Sequence, residues 1–240
     1  MIFPVTCMDN FYPDPDVIRE YALSLDYSRG DLDPANQNKS YPGVRSNLIH
    51  TLNPDLFDFS CKKLFSIFFD LGVGDFSWKA STHFQKIYPY ECYDSNKKDI
   101  NSGWIHQDYS SILAAVVYLN PIPNLDSGTS IYRLKEKYNQ KLVNPWTPIS
   151  TQTKNDFYSH RSKLSEDEYL KKKLEHNSKF EKTLDVKNVY NRIICYPGDY
   201  FHTQSEFLID TEDFRLTQVF FVESLTSSVS LPPYLRCKNV

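Results

Sequence analysis

Three segments of this chain carry side chains suited to holding a metal ion or an anion. The first is Trp104-Ile105-His106-Gln107-Asp108. In extended backbone, residues i and i+2 face the same side, so His106 and Asp108 point together while Ile105 and Gln107 point away. An imidazole and a carboxylate so placed can take two adjacent positions on one metal; a surface His and Asp on an edge strand is the plainer alternative. The second is His202, after Tyr196-Pro197-Gly198-Asp199-Tyr200-Phe201, which reads either as a further ligand or as a hydrogen-bonded core histidine. The third is Arg215-Leu216-Thr217, another i, i+2 pair on a mainly apolar strand. An inward arginine is costly unless it meets an anion. Its fork suits a carboxylate, worth about 1.5–3 kcal/mol, and a threonine hydroxyl alongside can add one more bond. An arginine reaching solvent from an edge strand is the alternative here.

These segments sit in a chain of 240 residues, 40% hydrophobic, 15% aromatic and 24% charged, with a formal net charge of −3. That composition supports a packed core and excludes disorder as the main state. The longest apolar runs, Ile112–Leu119 and Val219–Val222, are too short to span a membrane, and the first ten residues lack the pattern of a signal peptide. Five cysteines (Cys7, Cys61, Cys92, Cys195, Cys237) without Cys-x-x-Cys spacing read as free thiols of a cytoplasmic protein. The slightly acidic balance argues against a main role in gripping nucleic-acid phosphates. The usage of Lys, Asn, Tyr, Phe and Ile points to an AT-rich genome, of a bacterium or its virus.

The elements that must position the three segments follow from periodicity. Asp14-Pro15 opens a helix to about Leu25, with Val17, Tyr21, Ala22 and Leu25 on one face. Asn53-Pro54 repeats the device before a helix over Leu56–Phe69. From Trp78 the period becomes two: strands are predicted at Ser81–Tyr88, Trp104–Asp108, Ile112–Leu119, Ser130–Arg133, Arg192–Tyr196, Tyr200–Gln204 and Arg215–Val222. Ile112–Leu119 is continuously apolar, as a strand buried on both faces would be. Short strands with tight turns predict a mainly β (α+β) antiparallel sandwich or barrel. Residues 134–190 interrupt it with twelve Lys/Arg against eight Asp/Glu and no glycine. Ser165-Glu166-Asp167-Glu168 is a capping-box signature for a helix carrying Leu170 and Leu174. The expected organisation is one domain, 1–240: a helical support region (1–77), a β core (78–133 and 191–225), and 134–190 as an insert or lid.

Taken in order, His-x-Asp, a distant His and Arg-x-Thr resemble the Fe(II)- and 2-oxoglutarate-dependent oxygenases, particularly their prolyl-hydroxylase-like branch. Lesser matches keep the same order: Tyr88-Pro89 resembles a Tyr-Pro-Gly strand end, Tyr118-Leu119-Asn120 a Tyr-Leu-Asn strand end, and Ser127-Gly128-Thr129-Ser130-Ile131-Tyr132 a Gly-Gly turn and strand. The resemblance covers Trp78–Arg133 and Arg192–Val222. It departs from the family at Tyr90 and Ser127, where glycines are usual, and in the long step of thirteen residues from His202 to Arg215, which Asp210–Asp213 can absorb as an extended turn.

The resemblance implies a double-stranded β-helix (jelly-roll) core with N-terminal helices packed on it. It implies His106, Asp108 and His202 as ligands of Fe(II), with three neighbouring positions left for 2-oxoglutarate and O2. Arg215, Thr217, Tyr118 and Tyr88 would bind the co-substrate, and Gln204 would stand behind the ligands. Hydroxylation of a C–H bond in a protein side chain, amino acid or other small molecule is then the expected activity. Arg45, in Tyr41–Ser46, is a candidate substrate contact, a plain surface arginine being the alternative. A zinc hydrolase lacks its His-Glu-x-x-His motif, Cys195 beside His202 reads as a buried thiol, and no Gly-rich loop opens a helix for a nucleotide. No second arginine follows Arg215-Leu216-Thr217-Gln218-Val219, which disfavours the nucleic-acid-repair branch. His50, His83, His160 and His176 have no partner at ligand spacing. The rival from another class is a cupin-like module that binds a small molecule or protein without oxidising it; only the oxygenase needs His106 for turnover.

Overall fold

Both N-terminal caps work as their residue types dictate. In α1 (Pro15–Ser24) the Asp14 carboxylate accepts from the Val17 amide, and in α3 (Pro54–Phe65) the Asn53 side chain accepts from Leu56. Between them lies a short α2 (Ile49–Leu52) that periodicity did not announce. The structure, a computed structural model, describes residues 3–30, 32, 41–72, 74–90, 99–139, 148–158, 162–207 and 213–228. Cys92, Cys237, His160, the first residues of the chain and most of Asp210–Asp213 lie outside these residues. The buried stripe of α1 is Ile18 and Ala22, whereas Val17 is 57% exposed. Ala22 is buried and Tyr21 and Leu25 pack against the core as expected, so only Val17 of the expected face turns outward, with Ile18 taking its place. α3 stops four residues early, where Ile67 and Phe68 tighten into i→i−3 bonds.

The strands are β1 (Thr6–Met8), β2 (Tyr27–Ser28), β3 (Val44–Ser46), β4 (Phe76–Ile87), β5 (Leu113–Tyr118), β6 (Thr129–Leu134), β7 (Phe180–Val186), β8 (Ile193–Tyr196), β9 (Phe201–Gln204) and β10 (Arg215–Ser227). They form two sheets: seven strands in the order β1-β8-β5-β10-β4-β3-β2, and three in the order β7-β6-β9, with antiparallel pairings throughout. β5 shows why its sequence is unbroken apolar. Leu113, Ala115 and Val117 pack with Ile18, Ala22, Leu64 and Phe65 of the helices. Ala114, Val116 and Tyr118 pack on the other side with Ile131 and Val186 of the small sheet. The large sheet is thus buried on both faces along its centre, and its inner face looks toward the smaller sheet.

The stretch 134–190 holds α4 (Glu136–Asn139), α5 (Pro148–Tyr158) and α6 (Glu166–Asn177), and also β7, which pairs with β6. α6 carries the expected reciprocal capping box, with Leu170 buried but Leu174 42% exposed. Its inner side instead presents Tyr169, Lys173 and His176, because its contacts are with a polar backbone segment as well as a core. Lys173 Nζ donates to the carbonyls of Asp99 (2.5 Å), Ile100 and Ser102. His176 Nε2 donates to the Ile105 carbonyl (2.9 Å), and the Asn177 side chain accepts from the Ile105 amide (3.1 Å). Trp104 and Ile100 pack on Tyr169, which stacks on Phe157 of α5. Helices α5 and α6 therefore grip the segment leading into His106.

Burial, first, and the Lys179 and Lys154 charges push the His176 pKa down to about 4, against the Ile105 carbonyl. The unfolded imidazole protonates near 6.5 and the folded one only near 4, so unfolding takes up a proton between them. Stability is expected to be full above pH 6.5 and to fall by on the order of 2–3 kcal/mol as pH drops to 4. In His176→Gln that part of the acid limb should vanish in urea unfolding series. Among the described residues no helix is long and apolar enough to cross a membrane.

Candidate metal centre

The segment bearing His106 and Asp108 is not a regular strand, contrary to the expectation for Trp104–Asp108. It runs along the edge of β9 through one isolated bridge, in which His106 and His202 exchange amide–carbonyl bonds of 3.0 and 2.9 Å. The Gly103 amide bonds the Gln204 carbonyl and the Asp108 amide the Gly198 carbonyl, at either end of the bridge. Direct pairing sets the two imidazoles side by side, ring centroids 4.4 Å apart. The i+2 relation brings the Asp108 carboxylate to both: Oδ1 lies 3.9 Å from His106 Nε2 and Oδ2 lies 3.3 Å from His202 Nε2. One donor atom from each of the three falls within 4.8 Å of the others.

Backbone carbonyls select the tautomer. His106 Nδ1 lies 2.7 Å from the Trp104 carbonyl and His202 Nδ1 lies 2.9 Å from the Tyr200 carbonyl. A carbonyl accepts only, so each Nδ1 must carry a proton, and the neutral form of each ring offers its Nε2 lone pair on the side of Asp108. Burial, helped by Lys154 and His202, holds the His106 pKa well below the usual imidazole value. Burial acts to raise the Asp108 carboxyl, but His202, His106 and Lys154 outweigh it and keep it well below the normal range. Neutral imidazoles and an ionised carboxylate are the forms that bind a divalent cation. Two nitrogens and one oxygen on one side leave open positions, a donor set that fits non-haem iron.

Gly198 makes the turn before β9 possible. A Cβ there would run into the backbone oxygens of Ser111 and Asp108. Gly198→Ala must displace the loop carrying Asp108, and is expected to lower Fe(II) affinity at least tenfold. Isothermal titration beside a circular-dichroism spectrum of unchanged shape would check this.

Tyr118, Thr217 and Arg215 meet on the inner face of the large sheet. Thr217 pairs directly with Tyr118 across β10 and β5, and the Arg215 guanidinium lies 5.3 Å from the Tyr118 ring centre. Arg215 is 1% exposed; its Nε donates to the Ser127 carbonyl (2.6 Å), and among the described residues no carboxylate pairs with it. Burial, against the nearby Tyr118 and Tyr196, lowers its pKa. Thr217 is fully buried and its Oγ1 has no hydrogen-bond partner. A buried guanidinium without an anion beside an orphan hydroxyl fits the far carboxylate of a dicarboxylic acid. Asn120 positions this end of β10, accepting from the Leu216 amide and donating to the Phe214 carbonyl.

Tyr88 does not join this group. Ile87 pairs with Arg215, so the next residue faces the other way, and Tyr88 is 48% exposed with its ring against Phe214. Gln204 lines a cavity of about 430 Å3 together with the three candidate ligands. Arg45 lines it too, as do Tyr196 and Lys154, neither of which sequence reasoning singled out. The Tyr196 ring stands 4.4 Å from that of His202 and feels the charges of both Asp108 and Arg215, so it stands between the two clusters. Its only signal in the sequence was its place before Pro197-Gly198. Lys154 comes from α5, and nothing in the spacing of 134–190 marks it.

The chain resembles solved structures in fold. HygX from Streptomyces hygroscopicus with nickel and 2-oxoglutarate bound gives a TM-score of 0.52 at 12% identity, over 92% of this chain and 83% of that one. HygX with nickel, 2-oxoglutarate and hygromycin B bound gives 0.50 at 13%, over 92% and 83%. EvdO2 from Micromonospora carbonacea var. aurantiaca gives 0.50 at 10%, over 95% and 90%. No curated protein matches in sequence. Residues 102–221, half of the chain and all three of His106, Asp108 and His202, match the model of a family of unknown function, DUF6445, and the chain belongs to that family.

Proposed function

We propose that this protein is a non-haem Fe(II)- and 2-oxoglutarate-dependent dioxygenase on a double-stranded β-helix core, hydroxylating a C–H bond of a small molecule, amino acid or protein side chain. The observation that carries this reading is the convergence of His106 Nε2, His202 Nε2 and the Asp108 carboxylate, with both Nδ1 atoms committed to carbonyls. The nickel and 2-oxoglutarate held by HygX, a protein of similar fold, support it. The closer likeness to the prolyl-hydroxylase-like branch rests on the ordered sequence motifs.

Fe(II) with 2-oxoglutarate and O2 supplies oxidation of the substrate C–H bond coupled to decarboxylation of the keto acid. His106, Asp108 and His202 would hold the metal. Arg215 and Thr217 would bind the far carboxylate of 2-oxoglutarate, with Tyr118 beside them. Ala114, Val116 and Val219 give the cavity between the sheets an apolar wall.

Thermal unfolding separates this reading from a binding module. A ligand at about 100 times its Kd adds about 2.7 kcal/mol to stability. Mn(II) is expected to raise Tm, and 2-oxoglutarate to add a further rise only when Mn(II) is present. An equal rise with 2-oxoglutarate alone contradicts the oxygenase reading and favours a metal-independent binding module.

A further inference from the structure

Two tyrosines stand in one apolar cluster on the inner face of the large sheet, Tyr118 at the end of β5 and Tyr196 at the end of β8. The Tyr118 hydroxyl is committed, donating to Thr129 Oγ1 (2.8 Å). The Tyr196 hydroxyl is not. The residue is 3% exposed, yet among the described residues its hydroxyl makes no hydrogen bond. A buried phenol usually finds a partner, because a dry donor forfeits the bond it had to water. The paired neighbour of Tyr196 on β5 is Ala114, whose methyl group leaves space above the sheet, and both residues line the cavity that holds the triad. The ring meets that of His202, with centroids 4.4 Å apart, and the hydroxyl lies within electrostatic reach of Asp108 and Arg215. β8 flanks β5 on the side away from β10, β4 and β3, so Tyr196 enters the cavity from the edge opposite to Arg45.

An acid held at one end by a metal on the triad and at the other by Arg215 passes this phenol. We propose that Tyr196 is a co-substrate-binding residue: its hydroxyl donates a hydrogen bond to an oxygen of the keto-acid end of 2-oxoglutarate, while Arg215 and Thr217 take the far carboxylate. This rests on the oxygenase reading above, and the experiment below separates the two. A phenol keeps its proton throughout the neutral range and so has one to offer. A bond from a buried donor to an ionised acceptor is of the strong, charge-assisted kind. Packing against His202 and Ala114 holds the ring before any ligand arrives, so little further ordering is needed on binding.

The test uses the full chain loaded anaerobically with Mn(II) and titrated calorimetrically with two probes. One is 2-oxoglutarate; the other is oxalate, which chelates a metal as the keto-acid end does but has no far carboxylate. Tyr196→Phe deletes the hydroxyl and keeps the ring, so the chain without ligands should keep its Tm. Both probes are expected to weaken by a similar factor, about ten- to a hundredfold, as the loss of a hydrogen bond to a charged group does, with Mn(II) affinity unchanged. Arg215→Met gives the contrast, weakening 2-oxoglutarate and leaving oxalate as it was. Both probes binding Tyr196→Phe as they bind wild type overturns the proposal and leaves the metal reading standing. So does a loss confined to 2-oxoglutarate, which moves the hydroxyl to the far carboxylate, or a matching loss of Mn(II) affinity, which makes the residue a brace of His202. A wild-type chain that takes up Mn(II) but neither probe overturns the oxygenase reading and the proposal together.

Discussion

Asp108→Ala is expected to lower Fe(II) affinity by more than about 100-fold, beyond what loss of an outer hydrogen-bond partner costs. The reasoning is geometric. Asp108 is the one described group within reach of both Nε2 atoms, at 3.9 and 3.3 Å, and it supplies the only negative charge of the three donors. Without it two neutral imidazoles remain, paired by backbone bonds that the substitution does not touch. The fold should survive, because the Asp108 side chain contributes to no apolar cluster and its amide still reaches the Gly198 carbonyl. Isothermal titration with Fe(II) under argon reads the change. Affinity within tenfold of wild type would remove Asp108 from the ligand set.

Arg215→Met should separate binding from stability. Losing one partner of a buried charge pair costs about 2–5 kcal/mol, so affinity for 2-oxoglutarate in the presence of Mn(II) is expected to fall from about thirtyfold to several-thousandfold. Mn(II) binding itself should not change, since Arg215 is no part of the triad. The chain without ligands is expected to keep its Tm or gain a few degrees, because methionine fills much of the volume and relieves a buried charge without a carboxylate partner. The bonds to the Ser127 and Gly128 carbonyls are the loss set against that gain, the first of them, made by a charged donor, worth about 1.5–3 kcal/mol. A large drop in Tm with 2-oxoglutarate binding retained would make Arg215 a structural brace of the 127–129 turn instead.

The sequence made the candidate ligands legible because their placement is local. An i, i+2 pair needs only extended backbone, and the Pro197-Gly198 turn delivers His202 to its partner's edge. Arg215 and Thr217 were legible for the same reason, standing two apart on a stretch, Arg215–Val222, that is mainly apolar. Parity also explains the misses. Tyr88 is one step out of phase with Arg215 because Ile87 takes the paired position, and Val17 is one step from the buried Ile18–Ala22 stripe. Lys154 and Tyr196 were illegible because long-range packing alone brings them to the cavity. α5 has only a weak apolar stripe and is seated through the stacking of Phe157 on Tyr169. α6 turned its polar side inward, where Lys173, His176 and Asn177 satisfy backbone groups of residues 99–105, an arrangement that the pattern of Leu170 and Leu174 hides.

The most direct measurement of the central claim is an anaerobic titration of the purified chain with Fe(II) and then 2-oxoglutarate, followed in the visible spectrum. A metal-to-ligand charge-transfer band is expected, saturating at one Fe(II) and one 2-oxoglutarate per chain, abolished in His106→Ala and weakened in Arg215→Ala. A folded wild-type protein that gives no band under those conditions would contradict the assignment of this site to iron and 2-oxoglutarate.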